Sequence, residues 1–144
     1  MKLFRKDSSY AVRTLVYIAQ QKQSEPISST RVSTALGIPK NFLRRIFSIL
    51  IRVGILNATE GARGGVTLAK SPEQISVWEI IRGLQGEIKI CNSHHGKELC
   101  KDNEVCVMRK RIIEIEDLVI SEFQKITIQT LIDDTMSMTA LQLE

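Results

Sequence analysis

All three cysteines and both histidines of a 144-residue chain lie in one short stretch, CNSHHGKELCKDNEVC, residues 91–106. Thiolates and imidazoles are the soft ligands of zinc and of iron–sulfur clusters, and thiols also do redox chemistry on their own. The spacing is Cys91-x8-Cys100-x5-Cys106. A structural zinc site usually contains a CxxC knuckle, in which one tight turn pre-forms half of the tetrahedron. None occurs here. Widely spaced cysteines on a loop suit a cluster, whose larger body takes ligands from several directions. Three thiolates leave one iron position for His94, His95, a carboxylate or a small molecule. An odd cysteine count argues against a disulfide framework. Zinc binding and direct thiol redox sensing stay open as alternatives.

The elements that must position this stretch follow from hydrophobic spacing. Apolar residues at Ala11, Val12, Leu15, Val16, Ile18 and Ala19 predict a first helix, capped by Asp7, Ser8 or Ser9. Ser28 or Ser29 opens a short second helix that Gly37 ends. Pro39 fits the first turn of a third helix running to about Val53, stopped by Gly54. Residues 55–60 and 66–69 read as a hairpin with a glycine-rich tip. SVWEIIRGL (76–84) reads as a helix and EIKI (87–90) as a short extended piece. A long helix from Val105 to Lys125 presents Met108, Ile112, Ile115, Val119, Phe123 and Ile126 as one continuous apolar stripe. Thr127 caps a last short helix, IQTLID, and the tail beyond Asp133 reads as disordered.

Charge separates the chain into unlike halves. Residues 1–72 hold twelve Lys/Arg against three acids, a balance of +9, whereas 73–144 hold eight against thirteen, a balance of −5. A basic half suggests a polyanionic partner. Helix, glycine turn, helix and glycine-tipped hairpin is the layout of a winged helix-turn-helix. At 100° per residue the third helix puts Leu43, Ile46, Phe47 and Leu50 on one side. Asn41, Arg44, Arg45, Ser48 and Arg52 fall opposite, with Lys40 at the shoulder. That face holds three arginines and no acid. Arginine forks match guanine edges and phosphates, and asparagine matches adenine. Lys40, Asn41, Arg44 and Arg45 are therefore the candidate DNA contacts, joined by Arg63 at the hairpin tip, where an arginine can enter a minor groove.

The fold expected is mainly α with a small β-hairpin wing: a winged helix-turn-helix domain (1–72), a connecting helix and cysteine-bearing loop (73–104), a long helix with a short final helix (105–133), to which the resemblance described below assigns dimerisation, and a disordered tail (134–144). The chain shows no paired carboxylates and no phosphate-cradling motif, so it does not read as an enzyme. An iron–sulfur carrier would have no use for a basic recognition helix. No stretch has membrane-spanning length and the N-terminus does not read as a signal peptide, so a cytoplasmic protein without a membrane partner is expected.

MKLFRKDSSYAVRTLVYIA, LGIPKNFLRRIF, GARGGVTLAK, ISVWEIIRGLQG and the three-cysteine loop before a long helix together resemble the IscR/NsrR/RirA family of bacterial iron–sulfur transcription regulators, over essentially residues 1–133. The resemblance implies a homodimer with crossing C-terminal helices, bound to double-stranded DNA at a palindromic operator. It also implies an iron–sulfur cluster (2Fe–2S or 4Fe–4S) on Cys91, Cys100 and Cys106, sensing nitric oxide, oxygen or redox state, or iron supply, in a repressor or activator. The family's fourth ligand varies. The histidine of IscR-like members, three residues after the last cysteine, is Arg109 here. NsrR-like members use a carboxylate near the partner's N-terminus, about where Asp7 stands.

Overall fold

The computed structural model describes residues 3–21, 25–90 and 107–141. The predicted cysteine and histidine ligands Cys91, His94, His95, Cys100 and Cys106 lie outside the described residues, as does the expected helix start at Val105. Among the described residues the order is α1 (Lys6–Ala19), α2 (Ser29–Leu36), α3 (Lys40–Arg52), β1 (Leu56–Thr59), β2 (Gly65–Leu68), a 3-10 turn (Pro72–Gln74), α4 (Val77–Gln85), α5 (Val107–Lys125) and α6 (Ile128–Leu141). This is the mainly α, winged-helix architecture expected from the sequence.

Local chemistry explains most boundaries. Ser28 caps α2 by accepting from the Arg31 N–H at 3.2 Å. Gly37 closes α2 at φ 65°, a left-handed conformation that costs glycine little. Ser76 caps α4 in the same way, its hydroxyl accepting from the Glu79 N–H at 3.1 Å. Pro39 is the residue just before α3 rather than part of its first turn.

α1 departs from expectation. It starts ahead of Asp7, Ser8 and Ser9, and its N-cap, Arg5, makes no side-chain cap bond. Gln85, at the far end of α4, takes over that work. Its Oε1 accepts from the Arg5 N–H and the Ser8 hydroxyl, each at 2.8 Å, and its Nε2 donates to the Leu3 carbonyl at 3.2 Å. An orphan amide of the first turn is thus satisfied by a residue distant in sequence.

One core joins the elements. Ala11, Leu15 and Ile18 of α1, Val32 of α2, and Leu43, Ile46, Phe47 and Leu50 of α3 meet Ile75, Ile80, Ile128 and Ile132. The last two belong to α6, so the final helix packs into the basic half's core and not with α5 alone. α6 also runs to Leu141, so 134–141 is helical, not the disordered tail expected from the sequence. Two hydroxyls support the extension: Thr135 donates to the Leu131 carbonyl at 2.7 Å and Ser137 to the Asp133 carbonyl at 2.9 Å.

A second apolar cluster holds α4 against the end of α5. Val77, Ile81 and Ile88 are buried there with Phe123 and Ile126 beside them. Residues 87–90 make no named strand; they contribute Ile88 to this cluster instead. The α5–α6 junction is stitched to the start of α4 by Val77 N–H to Ile126 O at 2.8 Å and Ile128 N–H to Ile75 O at 2.9 Å. The rest of α5 is different. No residue of it is buried, and Met108 (68%), Ile115 (52%) and Leu118 (61%) stand open. The stripe read from the sequence therefore divides: Phe123 and Ile126 pack inward, Met108 and Ile115 are exposed, and Ile112 and Val119 are half-buried.

Candidate nucleic-acid interface

α3 displays the predicted division of faces. Leu43, Ile46, Phe47 and Leu50 are buried, whereas Lys40, Asn41, Arg44, Arg45, Ser48 and Arg52 are exposed. Burial of the apolar side in the shared core fixes the helix's rotation and aims the cationic side outward.

The wing is built beside it. β1 and β2 pair antiparallel in the register Leu56↔Leu68 to Thr59↔Gly65, and Ile27 adds a bridge to Val66 with bonds of 2.9 and 3.0 Å. That third segment explains Gly65: a Cβ there would lie 2.5 Å from the Ile27 carbonyl oxygen. The tip turns through a bond from the Gly64 N–H to the Gly61 carbonyl at 2.9 Å and leaves Arg63 exposed.

Between α3, the α2 start and the wing runs an open groove of about 460 Å³, lined by Ser28, Ser29, Arg44, Ser48, Thr59 and Gly64 among others. Arg44 is thus the arginine of α3 that faces the wing. The hydroxyls of Ser28, Ser29, Ser48 and Thr59 join it as donors suited to phosphate oxygens. Sequence reading missed them as a group because they come from three elements. The sequence signals were the helix-opening role of Ser28 and Ser29 and the place of Ser48 on the outer face of the third helix.

Arg45, next to Arg44, points elsewhere. Its Nη2 donates to Asp7 Oδ2 at 2.7 Å, and its guanidinium carbon lies 5.6 Å from the Phe42 ring centre. Phe42 in turn meets Tyr10 of α1 edge-on at 5.4 Å. Asp7 is thus not a helix cap: half-buried, it is the α1 partner of a candidate DNA contact. Lys40, Asn41, Arg44, Arg45 and Arg63 all sit on the helix and wing surfaces expected of them. Of the predicted ligand set, Asp7 is held by Arg45, and Cys91, Cys100 and Cys106 lie outside the described residues. Among the described residues no group of His, Cys, Asp and Glu forms a metal site, and no helix is long and apolar enough to cross a membrane.

A recognition helix with a cationic outer face, a preceding short helix and a glycine-tipped wing define a winged helix-turn-helix DNA-binding protein. The chain belongs to the Rrf2 family, described as an iron-dependent transcriptional regulator, which it matches over residues 4–134. It is therefore a DNA-binding transcription regulator of that family. It is 24% identical over 135 residues to the HTH-type transcriptional regulator NsrR of Halalkalibacterium halodurans, covering 93% of this chain and 92% of that protein. Its fold is similar to that of CymR, the global cysteine regulator of B. subtilis (TM-score 0.73, 21% identity, 92% of this chain and 98% of that one). It is also similar to T. potens IscR (TM-score 0.71, 22% identity, 94% and 88%).

Proposed function

We propose that the chain acts as a cytoplasmic homodimer, setting two α3 helices into a palindromic operator, with the thiol-bearing segment 91–106 as its sensor. The observation that carries the DNA half is the acid-free outer face of α3 beside the groove and Arg63. Lys40, Asn41 and Arg44 serve as candidate base and phosphate contacts, and Arg63 serves as the wing contact.

The dimer half rests on α5. Met108, Ile112, Ile115 and Val119 follow the 4-3-4 spacing of a coiled-coil seam, and neighbouring Leu118 widens it. A second copy of the same helix is the self-complementary cover for such a stripe.

The sensing half rests on donor chemistry. Three thiolates from Cys91, Cys100 and Cys106 fit an iron–sulfur cluster, which when bound supplies a centre reactive toward nitric oxide, oxygen or iron supply. Asp7 can join that set only by sharing or giving up its bond to Arg45. The segment connects the end of α4 to the start of α5. Its ordering would therefore fix where α5 begins, and with it the separation of the two recognition helices. Coupling of about 1–3 kcal/mol suffices for a ~5–150-fold change in affinity. Thiol oxidation without any metal, or zinc binding, is the second reading. The fold likeness to CymR, which is also known in an oxidized form from Staphylococcus aureus, keeps the thiol reading beside the cluster reading that the NsrR relative supports.

Absorption and Mössbauer spectra of anaerobically isolated protein, with Cys100→Ala alongside, test the sensor. A brown wild type and a bleached variant are expected; a colourless, zinc-loaded wild type would favour the second reading. DNA affinity measured on loaded and stripped dimers tests the coupling, and equal affinity for every fragment sinks it.

A further inference from the structure

Arg44 and Arg45 are adjacent and read alike in the sequence, but only one of them carries a leash. We propose that Asp7 is a specificity-determining positioning residue: its carboxylate holds Arg45 in one orientation and keeps it from pairing with arbitrary phosphates. The inference rests on the reading of α3 as the DNA-contacting helix.

Three observations support it. Asp7 and Arg45 make a 2.7 Å bond although the arginine side chain is 63% exposed and could extend into solvent. The guanidinium also lies over the Phe42 ring, which meets Tyr10 edge-on. The helix start that carries Asp7 is anchored, because Gln85 binds the Arg5 amide and the Ser8 hydroxyl, which flank Asp7 in the sequence. One edge of the guanidinium is thus engaged, and its other N–H groups are aimed by a rigid mount and not by a flexible stem. A leashed arginine rewards DNA that brings an acceptor to its fixed position. A loose arginine finds a phosphate on any duplex, so freeing it favours non-specific binding most.

The test uses the full-length dimer, with all variants prepared side by side. The probes are a duplex selected by the wild type from a randomised library and sonicated calf-thymus DNA, read by fluorescence anisotropy over a salt series. Asp7→Asn is expected to raise affinity for calf-thymus DNA by about 2- to 5-fold, the strength of an exposed ion pair. Its salt dependence should steepen by about one released counterion. Affinity for the selected duplex should not rise in step, so the specificity ratio falls. Asp7→Glu, which keeps a carboxylate, should stay near wild type. In an Arg45→Ala background Asp7→Asn should do nothing. An unchanged ratio and slope, or the same effect with and without Arg45, overturns the assignment while leaving the regulator reading intact. A wild type that binds neither probe sinks both.

Discussion

Helices α3 and α5 are both amphipathic, and the chain treats them in opposite ways. α3 buries its apolar side completely within its own core and offers a cationic side outward. α5, with 19 residues, buries none and leaves an apolar face open over its N-terminal part. The first is a finished element waiting for a polyanion. The second is incomplete until another apolar surface covers it. The same physical signal, a 3.6-residue period, thus marks a buried core face in one helix and a largely uncovered face in the other, the one proposed to meet a second copy. Only the surroundings tell them apart.

The comparison can be broken most severely in α5. Leu118→Arg places a charge in the bare stripe and should convert the dimer to monomers in sedimentation experiments. With only one recognition helix per particle, operator affinity should fall by ~100-fold or more. A dimer that persists would mean that α5 is covered by something else. Next in size is Leu50→Ala in α3. This side chain is fully buried, and its truncation should cost about 2–5 kcal/mol, seen as a melting shift independent of protein concentration. Ile115→Ala, by contrast, should give a shift that grows on dilution. If both shifts behave alike, the distinction between finished and unfinished helices fails.

Smaller effects sharpen the cationic side. Arg44→Ala should weaken operator binding by about 1–3 kcal/mol, whereas Arg63→Ala should mainly lower the salt slope by about one. Equal losses on all sequences for Arg44→Ala would demote it to a phosphate contact. Smallest is Ser28→Ala, which removes the α2 cap and should cost about 1 kcal/mol in thermal or denaturant unfolding.

α3 was legible because its punctuation is local: Gly37, Pro39 and Gly54 bound it, and its residue types separate cleanly around the axis. The wing was legible for similar reasons, through its glycines and flanking β-prone residues. The start of α1 was not, because the group that satisfies its first turn is Gln85, remote in sequence. The Asp7–Arg45 pair was invisible for the same reason: sequence spacing cannot say which carboxylate meets which arginine between helices. α6 was read too short because Met136 and Met138 are exposed, so no core periodicity marks its second half. The exposed positions of Lys40, Asn41, Arg44 and Arg63, which keep them as candidates, follow from residue type and place alone, whereas grouping the groove hydroxyls needs the tertiary fold.

The stitch between the start of α4 and residues Ile126 and Ile128 makes α5 a lever with its fulcrum at one end. At 1.5 Å per residue the arm is about 28 Å long, and the sulfur-bearing segment is attached at its far tip. A rocking of about 10° at the fulcrum sweeps that tip through about 5 Å. On the proposed sensor reading, a small displacement at that tip would bear on the joint where α4, α6 and the DNA-reading core meet.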